Sequence, residues 1–131
     1  MHLILLADIP LDPQGVSSEL GTPPFQSWRL GDSKRLTLPD GTVREFDGAH
    51  ECSGWKLLSP LPDRPDPLHE QLDAWTQWIQ AHQDSLHRLA TLGWSATLSG
   101  LCYEDDTLSI PPDALHLLAT CGITLKFNCF A

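Results

Sequence analysis

The stretch Pro67–Leu92, PLHEQLDAWTQWIQAHQDSLHRLATL, decides how the rest of the chain is read. Leu68, Leu72, Trp75, Ile79, His82, Leu86 and Leu89 recur at alternating spacings of four and three. With Trp78 they make an apolar stripe about 120° wide, the width of a helix face turned to a core. His69, Asp73, Gln77, Gln80, Asp84 and Arg88 fall opposite, and Asp84 and Arg88 have the i,i+4 spacing of a helix-surface ion pair. Pro67 suits a first helical turn, Asp66 before it can cap, and Gly93 is a C-terminal stop. A single helix of this length measures about 39 Å at 1.5 Å per residue, so it is expected to cross an entire sheet face. His82 is the polar residue in the stripe. Its expected role is that of a core histidine holding one hydrogen bond, and Trp75 and Trp78 are expected to pack in the core.

Working outward, Pro60, Pro62, Pro65 and Pro67 exclude regular structure just before the helix and read as an extended connector. Gly54–Ser59 reads as a strand. Further back, Phe25–Asp47 is the least periodic part of the chain, but Pro39-Asp40-Gly41-Thr42 is a turn signal between two candidate hairpin strands, residues 35–38 and 42–46. Leu3–Ala7 is a short buried strand. Asp12-Pro13 reads as an N-cap and first helical position, with Val16 and Leu20 on one face and Gly21 closing a short helix.

Beyond the long helix, Trp94–Tyr103 reads as a strand with Ala96, Leu98 and Cys102 alternating, Glu104-Asp105-Asp106 as a charged turn, and Leu108–Ile110 as a short strand. Pro111-Pro112 opens a helix ended by Gly122, and Ile123–Phe130 closes the chain with period-two alternation. This order implies one α+β domain over residues 1–131. Its sheet is antiparallel or mixed, with one long and two short helices packed mainly on one face. The specific expectation is a ferredoxin-like core elaborated by extra strands.

Acidic residues outnumber basic ones 17 to 8, for a formal net charge of -9. This disfavours nucleic acid, whose phosphates need Lys and Arg, and favours cationic partners. The acidic turn Glu104-Asp105-Asp106 is the tightest cluster available for such a contact. No run approaches a membrane span, the N-terminal residues lack a basic signal-peptide region, and a cytoplasmic chain with reduced thiols is expected.

His50 and Cys52 offer an imidazole and a thiol two residues apart, with Cys102, Cys121, Cys129 and His82 as further ligand candidates. Their spacing follows no zinc pattern, and neither a nucleophile signature nor a phosphate-binding glycine motif occurs. No metal, cofactor or catalytic residue is therefore expected. Enzymatic use of His50, Cys52 or the carboxylates would need two such groups brought within hydrogen-bond reach in a cleft.

Several segments together resemble a bacterial family known as domain of unknown function 4279. They are Leu11-Asp12-Pro13 with Leu20-Gly21, then Ser27-Trp28-Arg29-Leu30-Gly31-Asp32, Gly54-Trp55-Lys56-Leu57, the long helix, Ala96–Gly100, and Leu108–Pro112 through Leu117-Leu118 to Gly122-Ile123. The Trp-Arg-x-Gly-Asp run and the later Gly-Trp are the most specific part. The N-terminus is shorter than the pattern leads one to expect, so the first strand is expected to be clipped or displaced. The resemblance implies a cytoplasmic α+β domain with no established activity. In size, charge and lack of catalytic motifs such domains are similar to immunity proteins of bacterial competition systems.

The leading functional expectation is thus a non-enzymatic binding protein that neutralises a cationic toxin. The alternative is a small-molecule-binding or regulatory module with a tryptophan-lined pocket. Trp28, Arg29 and Asp32 admit two roles: Arg29 and Asp32 as a structural ion pair under a packed Trp28, or a loop presenting an aromatic and an arginine to a partner.

Overall fold

The computed structural model describes residues 1–63, 65 and 67–130. The expected cap Asp66 lies outside them. Strand β1 (His2–Ala7) is followed by α1 (Gln14–Leu20), β2 (Gln26–Trp28), β3 (Ser33–Thr37), β4 (Val43–Ala49) and β5 (Ser53–Leu57). Then come α2 (Leu68–Ala81), α3 (Gln83–Leu92), β6 (Ser95–Tyr103), α4 (Pro112–Thr120) and β7 (Thr124–Phe130).

Among the described residues, five strands form a mixed sheet in the order β2-β5-β1-β6-β7, and β3 and β4 form a separate hairpin. The pairs β1–β5, β1–β6 and β2–β5 are antiparallel, whereas β6–β7 is parallel, with α4 as the crossover. The set β2-β5-β1-β6 has the strand order and alternation of a ferredoxin-like sheet. The β3–β4 hairpin is the insertion between its second and third strands, and α4–β7 is the extension.

The first strand is not displaced. It is the middle strand, paired on both edges, with Leu5 opposite Trp55 on one side and Ala96 on the other. Leu3, Leu5 and Ala7 are buried on one face, while Ile4 and Leu6 on the other are only partly covered. An antiparallel sheet with one packed and one solvated face has this alternation. Leu57, Trp55, Leu98 and Ile123 extend the packed face, and Val16, Leu20, Leu72, Trp75, Ile79, Leu86, Leu89 and Leu118 meet it from the helices. The two most buried indoles keep their N–H groups bonded: Trp55 Nε1 donates to Ser17 Oγ at 3.0 Å and Trp75 Nε1 to the Met1 carbonyl at 3.3 Å.

The expected single helix is two helices that meet at His82. Its backbone leaves the helical region (φ -114°, ψ 17°), and its N–H is shared between the Trp78 and Ile79 carbonyls. Its Nδ1 lies 2.7 Å from the same Trp78 carbonyl, and the imidazole stacks on the Trp78 ring at 4.1 Å. A carbonyl only accepts, so this contact places the ring proton on Nδ1. A side-chain donor competing for a carbonyl four residues back is a recognised cause of helix bending. His82 is accordingly half-buried rather than a core residue.

The stripe itself survives the break, because the change at His82 keeps Leu86 and Leu89 facing the sheet. Arg88 pairs with Glu19 of α1 instead of Asp84, tying α3 to α1. Two further expectations differ: Leu108–Ile110 forms no strand, and Trp28 lies in strand β2 rather than in a loop. At α1, Asp12 Oδ1 accepts from the Gln14 N–H at 3.0 Å, so the Asp-Pro start acts much as its sequence suggests.

The alternation along β1 gives a direct check. Leu5→Ala is expected to lower stability by about 2–5 kcal/mol through a core cavity, and Leu6→Ala by less than about 1 kcal/mol. Urea unfolding of the two variants reads the difference, and equal losses would contradict the register.

Candidate functional site

The turn after β2 is built from the Trp28–Asp32 run. Asp32 Oδ2 accepts from the Arg29 N–H at 2.9 Å, and the Asp32 N–H donates back to the Arg29 carbonyl at 3.0 Å. Gly31 takes φ 91°, a conformation that favours glycine. Its N–H donates to the His50 carbonyl, and the His50 N–H donates to the Asp32 carbonyl, both at 2.8 Å.

The expected Arg29–Asp32 ion pair is not what forms. The short Asp32 carboxylate is held by the backbone beside it, and the longer Arg29 side chain reaches Asp12 at 2.9 Å. Both members of that pair are mostly exposed, so it adds little stability.

Ser53 anchors the same turn. Its buried Oγ accepts from the Leu11 N–H at 3.1 Å and the Leu30 N–H at 3.2 Å, and donates to the Ile9 carbonyl at 3.1 Å. Three backbone groups from two loops are thereby satisfied by one hydroxyl. Nothing in the sequence marked this serine, because its partners lie 23 to 44 residues away.

Trp28 is paired with Gly54 across β2 and β5 and packs on it so closely that a Cβ at position 54 would stand 2.1 Å from the indole. The ring also stacks on His50, with centroids 4.8 Å apart. Its Nε1 is buried with no hydrogen-bond partner among the described residues. Beside it Gln26, Asp32, Ser33, Arg35 and His50 line a cavity of about 470 Å³. Among the described residues, the His50 and Cys52 side chains make no hydrogen bond to each other, and no three His, Cys, Asp or Glu side chains converge as metal ligands.

At the far end of the sheet lies the acidic turn. Asp106 Oδ2 accepts from the Tyr103 N–H at 2.6 Å and so closes the turn, while Glu104 and Asp105 face solvent. Tyr103 and Phe130, paired across β6 and β7, stack at 5.7 Å, and both are half or more exposed. Cys102 and Cys129 are the preceding pair in that register. Partial burial, then Cys129 and Asp106 nearby, push the Cys102 thiol up from its ordinary range, and burial does the same to Cys121. Both are thereby kept as thiols at neutral pH, the form that is a poor nucleophile.

A third feature was not anticipated from the sequence. Between the proline connector and α2 runs a cleft of about 460 Å³ with Pro60, Leu61 and Pro65 on one wall. Glu70, Asp73 and Trp78 stand on the other. Trp78 is therefore only partly a core residue. The cleft belongs to the acidic part of the molecule. Residues 57–125, which include α2, α3, the Glu104–Asp106 turn and α4, carry nine acidic and two basic residues, against five of each over residues 29–56.

A family model described as domain of unknown function (DUF4279) matches residues 1–129. The chain belongs to this family. No curated protein and no solved structure matches it. Within this DUF4279 chain, the Trp-Arg-x-Gly-Asp run of residues 28–32 and the Gly54-Trp55 pair are in direct contact through Trp28 on Gly54. Among its described residues no helix is long and apolar enough to cross a membrane.

Gly54→Ala in this DUF4279 domain is expected to cost about 1–3 kcal/mol by overpacking against Trp28. In a Trp28→Ala background the same change should cost far less, giving a coupling measurable by a double-mutant cycle in urea. Ser53→Ala is expected to cost at least about 2 kcal/mol, since it leaves buried backbone groups unpaired.

Proposed function

We propose that this chain is a non-enzymatic binding protein that captures a cationic protein, as an immunity protein neutralises its cognate toxin by direct contact. The observation that carries this reading is the segregation of charge. Residues 57–125, which run from the proline connector through α2, α3 and the turn after β6 to α4, hold nine acidic residues against two basic ones, and Glu70, Asp73, Asp84, Glu104, Asp105 and Asp113 are exposed. One of the two basic residues, Arg88, is tied to Glu19. A surface of one sign steers a partner of the opposite sign and raises the association rate.

Exposed apolar groups inside the acidic field supply contact area. The stacked Tyr103–Phe130 pair flanks Glu104 and Asp105, and Leu61 borders Glu70 and Asp73. Aromatic and apolar anchors within a polar rim are the usual make-up of a protein interface. The acidic turn remains a contact candidate in this proposal through Glu104 and Asp105, Asp106 being occupied in the turn. Trp28 at the end of β2 and the turn after it, where Arg29 and Asp32 are both exposed, contribute a supporting surface. A cytoplasmic location belongs to the same proposal, and four free cysteines agree with a reducing compartment.

The test is co-expression with the basic protein encoded by the adjacent gene. A stable complex and protection of the host are expected, with an association rate falling by about tenfold or more between low and physiological salt. Neither complex nor protection would sink the proposal.

The cavity beside Trp28 supports a second reading, a small-molecule module. Its volume of about 470 Å³ lies within the range of ligand pockets, and Asp32, Arg35 and His50 offer charged and polar groups around one indole. A thermal-shift screen against metabolite libraries decides it: a ligand whose effect is lost in Arg35→Ala supports the reading, and no stabilisation by any compound rejects it.

A further inference from the structure

The cleft between the proline connector and α2 has a chemistry more selective than acidity alone. Glu70, Asp73, Ala74, Gln77 and Trp78 line one side. Their spacings of three, one, three and one are those of a single helix face, distinct from the Leu72, Trp75 and Ile79 stripe that α2 buries. α2 therefore has a second working face, directed at the connector rather than at the sheet.

The opposite wall is Pro60, Leu61 and Pro65. Proline has no N–H, so two of these three residues present only carbonyls, and the Leu61 N–H is already donated to Ser59 Oγ at 3.2 Å. Glu70 and Asp73 make no ion pair or hydrogen bond among the described residues beyond those of the helix backbone. Among the described residues the cleft is thus rich in acceptors and poor in donors, with the Gln77 amide as a side-chain donor. Trp78 is held in place from two sides, edge-on to Trp75 at 5.6 Å and stacked with His82 at 4.1 Å. An aromatic ring fixed before binding loses little freedom on contact.

We propose that this cleft receives an arginine side chain on an extended segment of the cationic protein partner, an inference that rests on the binding function proposed above. Guanidinium is donor-only, so it matches a wall of carboxylates and carbonyls without leaving a buried acceptor unpaired. Its plane lies against an indole, and its fork pairs with carboxylates in a way an ammonium cannot copy. Anionic ligands are repelled by Glu70 and Asp73, and an acceptor-bearing neutral ligand finds few donors. The apolar rim of Leu61, Pro60 and Pro65 accommodates the methylene stem.

The experiment has two arms. In the first, the full chain labelled with 15N is titrated with the peptide acetyl-Ala-Arg-Ala-Arg-Ala-amide and with its citrulline counterpart. Saturable shifts of the Trp78 indole and the Ala74 and Gln77 amides by the arginine peptide alone support the inference. Shifts spread evenly over the acidic surface, centred on Glu104–Asp105, equal for citrulline, or absent overturn it.

In the second arm, Glu70→Gln and Asp73→Asn, both exposed positions, are assayed in the complex with the basic partner. About tenfold weaker binding from each, with the fold intact by circular dichroism, is the expected result. A complex formed with unchanged affinity overturns the cleft but leaves the binding function standing. If no complex forms at all, the binding function falls, and the peptide titration decides the cleft by itself.

Discussion

Strand β1 is hydrogen-bonded along both edges, to β5 on one side and β6 on the other. Its inward residues Leu3, Leu5 and Ala7 lie under the helices with almost no exposed surface. Strand period is two, so this single placement sets which face of every neighbour is buried. Trp55 and Leu57 on β5 and Leu98 on β6 point inward because they pair with Leu5 and Leu3. Leu125 on β7 follows by pairing with Leu98. Gly54 and Trp28 are directed to the opposite face by the same rule. The close approach of Trp28 to Gly54 is therefore a consequence of how β1 is seated.

That division also separates two kinds of surface. The face away from the helices carries the Trp28 turn, a tightly bonded unit. Its exposed charges are satisfied locally: Asp32 by the backbone, Arg29 by Asp12, and Arg35 by Glu45. The helix side and the turn after β6 carry the excess negative charge, and there several carboxylates are left without an ionic partner among the described residues. Charges already paired near neutrality have little left to offer a partner, whereas unpaired ones of one sign create a long-range field. Unpaired negative charge is thus concentrated away from the Trp28 turn, toward the helix layer.

The break at His82 links packing to that surface. The His82 imidazole takes the Trp78 carbonyl and stacks on the Trp78 ring, which in turn meets Trp75 edge-on. One polar residue in an apolar stripe thereby orients an indole that is half in the core and half in the cleft. A leucine at position 82 would continue the stripe and leave Trp78 without this stack.

Much of the element order was legible because it rests on local rules. The periodicities of 68–92 and 123–130, the turn at Pro39–Thr42 and the Asp-Pro start of α1 each depend on neighbours a few residues apart. The -9 charge and the absence of a phosphate-binding motif were readable for the same reason. What only the tertiary structure decided involves partners far apart in the chain. Ser53 binds Ile9, Leu11 and Leu30; Arg29 chose Asp12 over Asp32; Arg88 chose Glu19 over Asp84; and Trp28 was drawn into a strand by Gly54. His82 had the right spacing for a continuous helix, but its ring competes with the backbone for a carbonyl, and periodicity counts positions without weighing donors. The cleft is of the same kind: the prolines before the helix and the helix itself were legible separately, and only their packing side by side makes the cleft.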